Sequence, residues 1–309
     1  MSNIILVVVS VIISLSIGEI ILRIVLKDKL NVWVERNLMF NHDSELGWFP
    51  IHNSTFYVNN DIYKHNSSGF RDIEQKPDTT KSRIIFIGDS FVWGYGVDQQ
   101  DVFTVKLRKR LPNVQVFNFG VSGYGTDQEY LLLKKHMNHI NPNIVFLQFT
   151  NHNDEDDNST DMRQGTYYKP YFVIDNNGIK LCGVPVPKSV EYFIAGSGII
   201  NKCYLARFSL YIFFKHIYPA PPVHENPTDA IIIALRDYVH QHGAVLLVGL
   251  QRSHPRIEKL LNESKITYIN LDTPLRFSWE EHWTPAGHSF VSDRLAEFIL
   301  KGGYLSVSK

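Results

Sequence analysis

Residues 83–90 read RIIFIGDS, an apolar run that stops at the hydroxyl of Ser90. A serine hydroxyl is a poor nucleophile until a base takes its proton. Histidine suits that role near neutral pH, and His282 stands in Glu280-Glu281-His282, near the other end of the chain. A carboxylate that orients the second ring nitrogen should lie close by, so Glu280 and Glu281 are the local candidates. The tetrahedral intermediate of acyl transfer also needs donors aimed at its oxyanion. The N–H of Ser90, the N–H of Gly123 and the side-chain amide of Asn153 are suited to this. Glycine at 123 lets backbone approach a reacting carbonyl with no side chain in the way.

Neighbouring polar residues read differently. Asp89 is a turn residue that accepts backbone N–H bonds. Asn118 fixes its own loop by side-chain bonds to backbone, and Ser122 belongs to the same turn. Gly94 and Gly96 form a G-x-G, but the strand–turn–helix spacing of a dinucleotide fingerprint is missing. His288 reads as a helix-start residue, and His152 precedes Asn153 on one loop. The run Glu155-Asp156-Asp157 reads as a solvated loop, because hard-cation loops need ligands at a spacing not seen here. Trp93, Tyr124 and Trp283 border these positions, where aromatics either stack on sugar rings or fill the core.

Bringing such groups together requires elements that end near one another. RIIFIG reads as a buried strand. DVFTVKLRKRLP is an amphipathic helix with Phe103, Leu107 and Leu111 at helical spacing. VQVFNFG is the next strand, TDQEYLLLKKHMNHI a helix opened by Thr126 or Asp127 as N-cap, and NIVFLQFT a third strand. Residues 155–225 break this rhythm and read as an insertion or lid, with an apolar patch from Ile199 to Ile217. A helix over 228–242, the strand AVLLVGL, the helix RIEKLLNESK, the strand ITYINLD and a closing helix TPAGHSFVSDRLAEFILK complete the chain. Strands alternating with helices predict a parallel sheet covered by helices. In such sheets ligands collect beyond the carboxyl ends of the strands. Gly88-Asp89-Ser90, Asn118 with Gly120 and Gly123, Asn151-His152-Asn153-Asp154 and Glu280-Glu281-His282 all fall at such ends or late loops.

Composition narrows the function classes. The 31 basic and 31 acidic residues cancel, with no basic tract, so the footprint of a nucleic-acid binder is missing. Two cysteines, Cys182 and Cys203, exclude a disulfide framework and a cysteine-built zinc cluster, and leave one bridge open. From Ile4 to Leu26 the chain is apolar, with only Glu19 and Arg23 as charges. That length suffices to cross a bilayer. Glu19 and Arg23 stand four apart and can pair on one helical face. The start is not basic and no A-x-A cleavage pattern follows, so an uncleaved anchor over 1–29 is expected rather than a signal peptide. A turn-rich lead-in over 30–82 then precedes the main domain of 83–309. Lys27, Lys29 and Arg36 after the span favour a cytoplasmic domain by the positive-inside tendency, although long domains cross despite local charge.

The ordered set GDSF, NFGVSGYGTDQ, NHND and EEHWTPAGH resembles the four blocks of the SGNH (GDSL-type) hydrolases, over roughly residues 83 to 300. The lead-in LGW…GFRD and the apolar N-terminus resemble the membrane-anchored bacterial branch of that group. The resemblance implies a flavodoxin-like three-layer α/β/α fold, no metal or other cofactor, and ester hydrolysis or acyl transfer. By position, Ser90 matches the nucleophile, His282 the base, and Gly123 and Asn153 the oxyanion donors. It also implies an extracytoplasmic domain and an acyl-ester substrate such as an O-acetylated surface glycan, with a lipid or thioester acyl group as the second choice. Two positions depart from the pattern. Asn151 stands where the third block has glycine, and Trp279 stands where the last block has its acid, with Glu280 one residue closer to His282. These departures motivate a rival reading, a binding protein for carbohydrate or lipid that kept the fold and lost the reaction.

Overall fold

The computed structural model describes residues 2–27, 30, 39–58, 61–151, 153–163, 167–176, 178–189, 192, 198, 202–216 and 222–305. Lys29, Arg36, His152, Ile199 and Ile217, named above, lie outside these residues. The chain opens with helix α1 (Ser2–Val25). Two hairpins follow, β1 (Phe40–Asp43) with β2 (Gly47–Pro50), and β3 (Ser54–Val58) with β4 (Asp61–His65).

The central sheet has five parallel strands. They are β5 (Ser82–Gly88), β6 (Val114–Gly120), β7 (Ile144–Phe149), and two that come after the insertion, Val245–Leu250 and Thr267–Asn270. Taken in chain order as one to five, they lie side by side as 2-1-3-4-5, the flavodoxin-like order. Helices α2 (Ser90–Trp93), α3 (Phe103–Arg110) and α4 (Thr126–Ile140) connect the first three strands. The short α5 (Asp154–Asn158) follows β7.

The insertion holds two small antiparallel pairs, β8 (Met162–Arg163) with β9 (Tyr167–Tyr168), and β10 (Tyr171–Asp175) with β11 (Gly178–Cys182). It also holds helix α6 (Tyr204–His216). Then come α7 (Thr228–Gln241), β12 (Val245–Leu250), α8 (Pro255–Glu263), β13 (Thr267–Asn270) and α9 (Pro285–Lys301). Cys182 and Cys203 are both free thiols.

The strands are apolar on both faces because helices cover both faces. Alternation along β5 sends Ile84 and Phe86 to one side and Ile85 and Ile87 to the other, all fully buried. The first pair packs with Phe103 and Leu107 of α3 and Val291, Leu295 and Ile299 of α9. The second packs with Leu133 and Met137 of α4, Ile231 and Leu235 of α7, and Ile257 of α8. Two cores sandwich one sheet, which is the three-layer arrangement expected. One local expectation fails: the N-cap of α4 is Gly125, not Thr126 or Asp127. Thr126 and Asp127 are buried in the first turn, where Asp127 is committed to the ammonium of Lys169 from the insertion.

Candidate active site

The site forms where β5 and β7 part company in connection direction, the crevice at which open α/β sheets take ligands. β5 and β6 end in register, with Gly88 opposite Gly120. Neither position has room for a side chain. A Cβ on Gly120 would meet Trp93 N at 2.3 Å, and one on Gly88 would meet Val92 Cγ2 at 2.3 Å. This clearance lets α2 start directly above the strand tips. Asp89 caps α2, its Oδ1 accepting the N–H of Phe91 at 2.9 Å. Ser90 is thereby the first residue of α2, 7% exposed at the sheet rim.

His282 arrives from the far end of the chain on a tight loop. The segment between β13 and α9 folds back on itself, with Arg276 bridged to Trp283 and Phe277 N–H donating to His282 O at 3.0 Å. Trp283 is fully buried beneath it. This hairpin tip brings His282 Nε2 to 2.7 Å from Ser90 Oγ. Glu280 Oε2 lies 3.0 Å from His282 Nδ1. Phe91 stacks on the imidazole, with ring centroids 4.7 Å apart, and Tyr95 flanks it at 4.8 Å. Glu281 faces away and pairs with Arg252 and Arg276. Of the two carboxylates, Glu280 is therefore the one in contact with the ring.

Asn153 follows β7 and reaches back across the crevice. Its Nδ2 donates to Asp89 Oδ2 at 3.0 Å. A carboxamide nitrogen has two hydrogens, so one stays available to a ligand. Asp89 is fully buried, and desolvation raises its carboxyl pKa while the Phe91 and Asn153 bonds act the other way. It thus joins the first and third loops, a link with no local signature in the sequence. Gly123 turns the second loop at φ +79°, a left-handed conformation that favours glycine. Asn151, in place of the pattern's glycine, donates to the carbonyls of Arg252 and Ser253 and ties the third loop to the one after β12.

The lead-in does more than cover the domain. Arg71, fully buried, donates to the carbonyls of Trp93, Gly94, Val97 and Ile62, so it clamps the turn that leaves the Ser90 helix. Burial depresses its pKa to about 10, with the ring of Tyr63 lying 4.1 Å below the guanidinium. Trp48 Nε1 donates to Ser122 O at 3.1 Å, and Tyr124 OH donates back to Trp48 O at 2.5 Å, so the Gly123 loop hangs on the second lead-in strand. Asn118 donates to Val92 O and accepts from Gly120 N, both at 2.9 Å, tying the end of β6 to α2 as its residue type suggested.

Other residues singled out above fall elsewhere. His288 is 1% exposed and accepts the N–H of Phe103, and burial lowers its pKa to about 3. Glu155 pairs with His254 and Arg256, and Asp157 is buried against Arg163, so this run is not a solvated loop. Trp93, Tyr124 and Trp283 are core residues, at most 1% exposed. The aromatics that face solvent beside the site are others. Tyr95, Phe277 and Trp279, with Asp61 and the buried Tyr63, line a cavity of about 330 Å³ next to His282. Trp279 is 64% exposed, its ring 5.2 Å from that of Phe277. Asp61 is partly buried, which with nearby Asp98 raises its carboxyl pKa. The only advance signal for this group was Trp279 at the pattern's acid position.

No protein-family model matches the chain, and no curated protein matches it. Among solved structures it is similar to the psychrotrophic esterase EstA from Pseudoalteromonas sp., at 10% identity over 72% of this chain and 98% of that one, with a TM-score of 0.42. It is similar to a GDSL-like lipase from Bacteroides thetaiotaomicron VPI-5482, at 12% identity over 74% and 93% of the two chains, with a TM-score of 0.42. It is likewise similar to TesA, at 12% identity over 71% and 97%, with a TM-score of 0.40. These overall likenesses are weak, and the reading of the site rests on its own contacts: a serine, an imidazole and a carboxylate in one hydrogen-bonded line at the rim of a flavodoxin-like sheet.

Proposed function

We propose that the chain is an SGNH-type serine hydrolase or acyltransferase acting on ester bonds. The observation that carries this is the chain of contacts Ser90 Oγ–His282 Nε2–Glu280 Oε2, at 2.7 and 3.0 Å. His282 takes the Ser90 proton as Oγ attacks the acyl carbonyl, and Glu280 holds the imidazole in the tautomer that leaves Nε2 basic. The N–H groups of Ser90 and Gly123 and the second amide hydrogen of Asn153 receive the oxyanion. Collapse expels the alcohol, which takes the proton back from His282. Water or an acceptor hydroxyl, deprotonated by the same imidazole, then resolves the acyl-enzyme. Glu280 takes the acid's part although it stands one residue off the pattern, which weighs against the binding-protein reading.

The ester's alcohol part is a carbohydrate in this proposal, with an O-acetyl group as the acyl part. Its support is the cavity beside His282, where Trp279, Phe277 and Tyr95 offer flat apolar faces and Asp61 a hydrogen-bond acceptor. Sugar rings are bound by that combination of stacking and polar contact.

The test is twofold. Ser90→Ala is expected to lose at least about a thousandfold in esterase rate and all labelling by a fluorophosphonate. Full activity in that variant would end the proposal. Trp279→Ala is expected to raise KM for an O-acetylated oligosaccharide about tenfold while leaving kcat/KM for a small aryl acetate within twofold. Equal effects on both would remove the carbohydrate assignment and keep the hydrolase.

A further inference from the structure

Helix α1 is apolar enough to span a bilayer, and among the described residues none of its apolar window is buried, yet side-chain bonds join it to the start of α6. Glu19 Oε1 accepts the N–H of Tyr204 at 2.9 Å, and Oε2 accepts the N–H of Leu205 at 2.8 Å and the thiol of Cys203 at 3.6 Å. Arg23 completes the cluster. It donates to Glu19 at 2.8 Å and to Lys202 O at 2.5 Å, with its guanidinium 4.7 Å from the ring centre of Tyr204. Glu19 therefore serves as the N-terminal cap of α6, a helix of the insertion far away in sequence. Both sides need this. The first N–H groups of a helix have no internal partner, and a carboxylate within an apolar span must be paired or bonded.

We propose that α6 is a second membrane element, docked on α1 inside the bilayer with its remaining apolar face against lipid. The inference rests on α1 being a retained anchor. Its depth follows from the cap. Glu19 lies seven residues before Leu26, so the start of α6 sits about 10 Å along the helix from the end of the apolar run. With 13 residues, α6 is about 20 Å long, too short to span the roughly 30 Å hydrocarbon layer, so it enters without crossing. Its sequence, YLARFSLYIFFKH, is mostly apolar, and Phe213 is 39% exposed. Its one serine, Ser209, returns its hydroxyl to Leu205 O at 2.8 Å, as Ser16 of α1 does to Ile12 O. Internal satisfaction of that kind is what hydrocarbon demands. The occupant of the α6 face is lipid acyl chain, because α6 starts at Glu19, within the apolar run of α1 whose own side chains are exposed.

The experiment uses the full chain with Cys182→Ser and Cys203→Ser, reconstituted in phosphatidylcholine vesicles. A single cysteine at Ser209 or Phe213 carries an environment-sensitive fluorophore, and lipids with nitroxide on the acyl chain are the quencher. Labels at Ser10 in α1 and at Tyr57 in the exposed hairpin are the references. Quenching at 209 and 213 within twofold of that at 10, with none at 57, is expected. Glu19→Ala should at least halve quenching at 209 and leave it unchanged at 10. Quenching at 10 without quenching at 209 and 213 overturns the docking and keeps the anchor. No quenching at 10 either overturns both. A label at 209 shielded from lipid and from aqueous iodide alike would place another protein surface on this face, and equally overturns the assignment.

Discussion

At the residue scale, the decisive feature is that Glu280 reaches His282 from a position one residue nearer than the resemblance implies. On a hairpin tip the side chain two residues before histidine can curl under the ring, and the longer glutamate supplies the reach. The displaced position then becomes free for another use, and Trp279 faces the cavity. Glu280→Gln keeps the shape and removes the charge that stabilises the imidazolium. Its kcat is expected to fall by about a hundredfold to ten-thousandfold with KM changed little, by steady-state assay on an aryl acetate. Glu281→Gln, whose carboxylate is held by Arg252 and Arg276, should fall by less than threefold in the same assay. If the two variants behave alike, Glu280 does not orient the base.

At the element scale, the turn that carries Ser90 is held from outside the sheet and its covering helices. Arg71 binds four carbonyls around α2, and no carboxylate is hydrogen-bonded to it among the described residues. Removing it leaves buried acceptors unsatisfied, each costing about 1–3 kcal/mol. Arg71→Met is therefore expected to lower stability by several kcal/mol in urea titration. At temperatures where it is folded, kcat should drop at least tenfold, because Ser90 loses its fixed height above the strand tips. Arg71 is a positioning residue, and Arg71→Lys, which keeps charge but not the fork of donors, should recover only part of the rate. Recovery of the full rate by lysine would show that charge alone matters.

At the scale of the whole molecule, buried titratable groups set opposing pH slopes. His65, His136 and His288 are held neutral by burial, at about 4, 4 and 3, against an ordinary value of 6.5. The unfolded chain binds those protons first, so stability falls as pH drops below about 6.5. Glu129 and Asp154 act the other way. Burial and neighbouring carboxylates raise both well above the usual range, and neither Glu129 oxygen has a hydrogen-bond partner among the described residues. The folded state keeps those protons where the unfolded chain has lost them, so stability falls as pH rises from about 4.5. Glu129→Gln removes one such slope. Its stability relative to the natural chain should grow by about 1.4 kcal/mol per pH unit from pH 5 upward, until the folded-state carboxyl ionises. Urea titrations at pH 5, 7 and 9 check this, and parallel curves would refute it.

The sequence by itself determined the sheet, most of its helices and the loops that carry the polar residues. Periodicity is a local property, and an apolar run such as Ile84–Ile87 has one good solution when both faces are to be covered. It also placed Ser90, Gly123, Asn153 and His282 at strand ends or late loops. What only the tertiary structure decided involves partners far apart in the chain. Ser90 and His282 are 192 residues apart, Trp48 and Ser122 are 74, and Glu19 and Tyr204 are 185. Which glutamate meets the imidazole, which aromatics face solvent and which are core, and where the insertion helix finds its cap all depend on distances that no local pattern encodes. Side-chain type sets what a residue can do, but only the packing of distant elements sets what it meets.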